Sequence, residues 1–482
     1  MIDLLTSSGT ALARLIRTRA VTSREVVEAH IARIERVNPV LNAVVAPRFA
    51  TARAEADRAD ARVRDAAPAE LPPLHGVPCT IKEAIALEGM PYTSGLVARV
   101  GRTAPRDATG TARLRAAGAI PLGVTNCSEL CMWMESANRV YGRSNNPYDP
   151  RRTVGGSSGG EGAIVAACGA PFGLGADVGG SIRMPAYFNG VFGHKPTGGL
   201  IPNTGHFPLA HGLGQRYLTT GPIARRAEDL WPLVRILAGP DGEDGGARAL
   251  PLGDPAAVRL DELDVLVVEE NGAVPVHADL RYALWRAADA LGARGARVRR
   301  ARFTALARSF DIWAAMLGSV GGPSFASLMG EGTPVRPWRE LARWLLGRSP
   351  HTFPAIGLAA LEGLSAAVPA RQQRALALGA ELHDELTRTI GPSGVLLYPP
   401  YPTTAPRHNA PLWPPFNWVY TAIFNVMQLP VTVAPLGLDG AGLPLGVQIA
   451  GIEGNDHVTI AVAQALEQAL GGWVPPGAVL PA

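Results

Sequence analysis

Lysine is almost absent from this sequence. Of 45 basic side chains only Lys82 and Lys195 are lysine, and the rest are arginine. Where charge alone is needed the chain uses arginine, so a surviving lysine hints at a task arginine does poorly. Arginine stays protonated in proteins, whereas a buried lysine can lose its proton and act as a base. The competing reading for each is a packed lysine without chemistry. Cysteine is scarce too, with only Cys79, Cys127, Cys131 and Cys168. These make no disulfide framework, and although Cys127 and Cys131 stand four apart, no second pair completes a zinc site. Each reads as a small buried thiol. No HExxH appears, and the glycines around residues 173–180 miss nucleotide-binding spacing, so neither metal nor cofactor is expected. A net charge of +4 with no long basic run argues against a nucleic-acid partner. The N-terminus has early charges and no continuous apolar run, which excludes a signal peptide and a membrane span and makes the cytoplasm the expected location.

What the chain does have is length, 482 residues with 47% apolar or aromatic, enough for a large core. Residues 8–36 and 48–66 read as helices, the first with Thr22-Ser23 as its cap. Val77 to Ile81 reads as a short strand that delivers Lys82 at its end. Helices over 107–118, 159–168, 276–294 and 370–390 alternate with apolar strands such as PFGLGAD, LDVLVVEE and LPLGVQIAG, which argues for an α/β sheet. Residues 239–254 read as a linker or long surface loop. Between Pro334 and Leu364, Trp338, Leu341, Trp344 and Leu345 share one helical face. That face suits the core or an apolar lid over a channel, with core the favoured reading.

The chemistry concentrates between Gly155 and Ser181, in GGSSGGEGAIVAACGAPFGLGADVGGS. A serine hydroxyl needs a base to become a nucleophile. Gly156 to Gly160 matches G-x-S-x-G with Ser158 at its centre, but glycine density makes that match cheap. The available late histidines, His408 and His457, sit in a proline-rich loop and a turn. Lys82 is the other base, because desolvation in TIKEAIAL disfavours its ammonium form. Val178-Gly179-Gly180-Ser181 supplies consecutive backbone donors of the kind that hold an oxyanion, or else a tight turn with no ligand.

The run GGSSGGEGAIVAACGAPFGLGADVGGSIRMPAYFNGVFGHKPT resembles the signature of the amidase signature family, and its GEG and GGSIRMPAYFNGVFGHKP are most similar to the fatty-acid amide hydrolases of the second type. The similarity extends through TNCSELCMWMESANRVYGRSNNPYDP to LPLGVQIAGIEGNDHVTIAVAQALEQALGGWVPPG, covering most of the chain from Leu74. The resemblance implies a large mixed twisted sheet flanked by helices, in a single domain over 1–482. Residues 1–70 would be an N-terminal helical region, and about 330–370 a lid or channel segment. It implies a Ser–Ser–Lys triad: Lys82 as base, Ser157 after a cis peptide as relay, and Ser181 as nucleophile. The amides of Val178, Gly179, Gly180 and Ser181 would form the oxyanion hole. Asp177 and Arg183 would hold the nucleophile's turn, Lys195 would tie a loop, and Thr125 and Asn126 would stabilise another. Cys127, Met132, Trp133 and Met134 would border the acyl pocket or the core beside it, and Trp413, Phe416 and Trp418 an apolar channel.

The implied activity is hydrolysis of fatty-acyl or aryl amides, extending to esters and carbamates, on a small-molecule substrate, with a homodimer allowed. The alternatives are a urethanase or aryl acylamidase, a glutamine-dependent amidotransferase subunit, and a catalytically dead binding protein. Membrane-bound relatives carry an N-terminal membrane helix that this sequence lacks, which counts against a membrane location.

Overall fold

The computed structural model describes residues 3–365, 369–413 and 416–477. Outside them lie residues 1–2 of the expected N-terminal region, 366–368 of the expected lid segment, and 414–415 and 478–482 of the expected single domain.

The N-terminal region forms helices because its caps and periodicity agree. Thr22 and Glu25 close a reciprocal capping box at the start of Ser23–Leu41. The charged helix Phe49–Asp65 buries only Ala52, Ala56, Ala59 and Val63, one narrow stripe at helical spacing. Among the described residues eleven strands then form one sheet. In chain order they are β1 (Val44–Pro47), β2 (Pro78–Lys82), β3 (Ile120–Thr125), β4 (Phe172–Asp177), β5 (Phe192–Lys195), β6 (Thr219–Ala224), β7 (Asp264–Val267), β8 (Arg297–Arg300), β9 (Gly394–Tyr398), β10 (Val431–Leu438) and β11 (Pro444–Ala450). Their order across the sheet is β1-β3-β2-β4-β6-β5-β10-β11-β9-β7-β8. β2 runs parallel to β3 and β4, and β7 parallel to β8 and β9, while the strands between pair antiparallel. The sheet is therefore mixed. β2, β3, β4 and β6 are buried at every position, so both of their faces are covered.

Two features place the site. β2 ends on Lys82, in register with Thr125 at the end of β3. β4 ends on Asp177, directly before the turn that carries Ser181 and opens the helix Arg183–Phe188. The helix Gly159–Ala166 is fully buried, which its small residues permit.

The segment after Pro334 departs from the core expectation. It forms the helices Pro337–Leu345 and Phe353–Ser365. Leu341 and Trp344 pack with Phe325, Met329 and Ile356 in a small apolar cluster separate from the main core. Trp338 is 70% exposed and Leu345 72%. The amphipathic period is present, but its apolar arc is wider than the cluster it meets. Among the described residues no helix is long and apolar enough to cross a membrane.

Candidate active site

Lys82 and Ser157 are both fully buried, and Lys82 Nζ lies 2.7 Å from Ser157 Oγ. The Gly156–Ser157 peptide is cis. The main chain of residues 133–135 passes so close to Gly156 that a Cβ there would collide with it. Ser136 fastens the loop: its hydroxyl lies 3.1 Å from the carbonyls of Gly155 and Ser157 and accepts from the Gly159 amide at 2.8 Å. Among the described residues Ser158, the centre of the hydrolase-like motif, has no histidine partner. Its hydroxyl bonds the backbone of Ala176, and its amide donates to Ser181 O at 3.1 Å. Ser181 lines a cavity and is 6% exposed. Among the described residues no side-chain hydrogen bond closes the Ser157–Ser181 link, a contact that tightens in catalytic sites only when substrate is bound.

Two buried carboxylates flank Lys82. Glu161 accepts from Thr80 Oγ1 at 2.5 Å and Thr125 Oγ1 at 2.7 Å, one hydroxyl on the lysine's own strand β2 and one on its neighbour β3. Glu83 accepts from the amides of Thr93 and Ser94 and the hydroxyls of Thr93 and Tyr141. Burial pushes both carboxyls up to about 7, against the pull of those donors. Glu161 falls in the GEG of the signature, as the charged residue of an otherwise small, apolar helix, while nothing in the sequence marks Glu83.

Asp177 and Arg183 form a fully buried ion pair at 3.0 Å. Arg183 also donates to Thr421 O, Gln448 Oε1 and Asn425 Oδ1. Burial alone would raise the Asp177 carboxyl, but Arg183 and Asn425 overcome it and hold the group well below the usual carboxylate range. Asp177 also gathers the turn's main chain, accepting from the amides of Gly180 at 2.7 Å, Ile182 at 3.0 Å and Arg183 at 3.3 Å. The Gly180 N–H is committed to Asp177, whereas the amides of Val178, Gly179 and Ser181 meet no acceptor among the described residues. The carbonyls of Val178 and Gly179 are held by Trp313 Nε1 at 3.1 Å and Thr421 Oγ1 at 2.8 Å, which fixes those peptide planes. Gly180, at φ +115°, has no room for a Cβ, because Thr421 Oγ1 occupies its place.

The cavity beside Ser181, about 60 Å³, is walled by Met132, Trp133, Met134, Met184, Trp313 and Trp418, with Cys131, Leu358, Val178 and Gly179. Cys127 does not reach it: the residue is fully buried and packs on Ala84 and Cys131. Cys131 stands on the wall in its place, because the chain turns there through two left-handed residues, Leu130 and Cys131. Of the three aromatics expected along a channel, Trp418 lines the cavity. Phe416 packs 4.6 Å from Phe310 and is 43% exposed, while Trp413 is 85% exposed. Sequence reasoning missed Met184, three residues after Ser181, and Trp313, Asn425 and Gln448, which come from distant parts of the chain. Lys195 is buried, donates to Pro196 O at 2.7 Å, and is pushed down to about 7 by burial and by Arg183. Asn126 bonds Gly142 O and Ser144 Oγ and so ties two loops together.

The family described as Amidase matches residues 25–460. The chain is similar to "Fatty-acid amide hydrolase 2" of Homo sapiens, 46% identical over 98% of this chain and 91% of that protein. It is also similar to a glutamyl-tRNA(Gln) amidotransferase component of Synechococcus sp. (strain WH7803), 32% identical over 93% of this chain and 94% of that one. Among solved structures it resembles "6-aminohexanoate cyclic dimer hydrolase complexed with substrate", with a TM-score of 0.82, 27% identity and full coverage of both chains.

Proposed function

The chain belongs to the amidase signature family and is an amide-hydrolysing enzyme, and from that premise we propose that it cleaves amides of apolar acyl or aryl acids through an acyl-enzyme on Ser181. The observation that carries this is the buried 2.7 Å contact between Lys82 Nζ and Ser157 Oγ, set beside a serine that faces an apolar cavity.

In the unprotonated form Lys82 accepts the proton of Ser157 as Ser157 accepts that of Ser181. Ser181 Oγ attacks the substrate carbonyl, and the negative oxygen falls to the free amides of Val178, Gly179 and Ser181. Collapse breaks the C–N bond while the relay returns the proton to the leaving nitrogen. Water, deprotonated by the same relay, then releases the acid. Fatty-acyl and aryl amides suit a cavity walled by three tryptophans and three methionines. Esters and carbamates share the acyl carbonyl and a departing heteroatom, so the same chemistry extends to them. The apolar wall counts against an amidotransferase subunit, which must hold a free amino acid.

The test is a panel of fatty-acyl and aryl p-nitroanilides, p-nitrophenyl esters, aryl carbamates and glutamine, assayed with the wild type and Ser181→Ala. Turnover of apolar amides is expected, with inactivity toward glutamine and loss of turnover in the variant. Preferential release of ammonia from glutamine would replace this reading with the amidotransferase one.

A further inference from the structure

The relay described above leaves one nucleophile on the cavity wall unused. Cys131 lines the cavity that holds Ser181 and is 7% exposed. Cys127 lies directly behind, fully buried, and the two thiols make a small cluster of their own with Ala84. His206, 3% exposed, lies beside the Cys131 sulfur. Its Nδ1 is 2.8 Å from the carbonyl of Pro208, which can only accept, so Nδ1 carries the hydrogen. Nε2 is buried, with no partner at hydrogen-bond distance among the described residues. Ser94 Oγ stands 3.4 Å from the same sulfur.

We propose that Cys131 is a peroxide-sensitive thiol in the substrate cavity and that Cys127 resolves it into a Cys127–Cys131 disulfide, a modification separate from amide hydrolysis. The Cys131 sulfur attacks one oxygen of hydrogen peroxide; the S–O bond forms, the O–O bond breaks, and the departing hydroxide takes the thiol proton and leaves as water. Sulfur has given up two electrons and peroxide has gained them. The Cys127 sulfur then attacks the sulfenic acid at Cys131. The S–S bond forms, and the hydroxide lost combines with the Cys127 proton as a second water. The disulfide draws the Cys131 sulfur out of the wall and shifts the adjoining Met132 and Trp133, so amide turnover falls until the bond is reduced.

Electrostatics agree with this geometry. Burial works to raise the Cys131 pKa, but the Cys127 thiol, Lys82 and His206 outweigh it and place Cys131 well below an ordinary thiol. At Cys79 and Cys168 burial outweighs the nearby arginines and pushes both thiols up. The thiolate is the reactive form, so the four cysteines should react very unequally.

The experiment treats the intact protein with hydrogen peroxide, with and without a sulfenic-acid trap. Peptides are mapped by mass spectrometry without reduction, and turnover is followed before treatment, after it and after dithiothreitol. The expected result is a Cys127–Cys131 cross-link, unmodified Cys79 and Cys168, and a loss of most turnover that dithiothreitol restores. Cys127→Ala, compared with its own untreated activity, should accumulate trapped sulfenic acid at Cys131. The peptide map of the wild type needs no variant to fold. Cys131 staying reduced, reacting no faster than Cys79 and Cys168, or oxidising without engaging Cys127 would each overturn it.

Discussion

The amide of Ser158 donates to the carbonyl of Ser181 at 3.1 Å, joining the loop that carries Ser157 to the turn that carries Ser181. That bond is main chain to main chain, so it survives loss of the Ser158 side chain. The Ser158 hydroxyl also bonds Ala176 O at 3.2 Å and Ala176 N at 3.3 Å. Ser158→Ala should therefore cost about 1–2 kcal/mol of stability and keep most of the wild-type kcat/KM. Ser157→Ala should do the reverse, keeping the fold and lowering kcat/KM by at least about a hundredfold. Urea unfolding and steady-state kinetics on both variants check this. Similar kinetic losses in both would contradict the assignment of Ser157 as the relay.

Adjacent glycines should separate in the same way. A Cβ at Gly180 collides with Thr421 Oγ1 at a φ of +115°, so Gly180→Ala should lose the fold of the turn. A Cβ at Gly179 meets only ring carbons of Trp418 and Trp313, at 3.6 and 3.8 Å. Gly179→Ala should melt near the wild type and discriminate against bulky acyl groups, read as KM across a series of acyl lengths.

The Asp177–Arg183 pair is fully buried and its partners span β4, β11 and the segment Thr421–Asn425. Removing one member leaves a buried charge uncompensated. Arg183→Ala should cost about 3–5 kcal/mol, measured by denaturant unfolding, with activity lost because Asp177 no longer holds the Gly180 amide.

Glu161 and Glu83 fix the sign of a pH effect on stability. Their folded pKa values, about 7, lie above the unfolded value of 4.5. The folded state therefore binds more protons between those values, and stability falls as pH rises from about 4.5 to about 7. Asp177 is shifted the opposite way and acts only at lower pH, where its protonation would cost stability. Glu161→Gln should remove its share of the slope, on the order of 3 kcal/mol between about pH 4.5 and about pH 7.5. Melting temperatures across that range measure it, and an unchanged slope would contradict the burial argument.

The elements that carry Lys82 and Ser181 were legible because both follow short buried strands with turn residues after them. The lysine census singled out Lys82, since 45 basic residues include so few lysines. Amide directions were not legible: whether Gly180 points at substrate or at Asp177 depends on φ and ψ, which glycine leaves open. The exchange of Cys127 for Cys131 on the cavity wall has a similar origin. The left-handed turn at Leu130 and Cys131 rotates the side chains out of any regular phase. Trp338 and Leu345 show a further limit. Their spacing specified one apolar helical face, but the amount of partner surface waiting for it is a tertiary fact.

Peptide mapping of the acyl-enzyme, after rapid acid quench during turnover of a long-chain p-nitroanilide, goes straight to the assignment of the nucleophile. The acyl group should be found on Ser181, in the peptide that follows Asp177, with no acylated peptide in Ser181→Ala. An acyl group on Ser157, Ser158 or Cys131, or undiminished turnover by Ser181→Ala, would refute the mechanism.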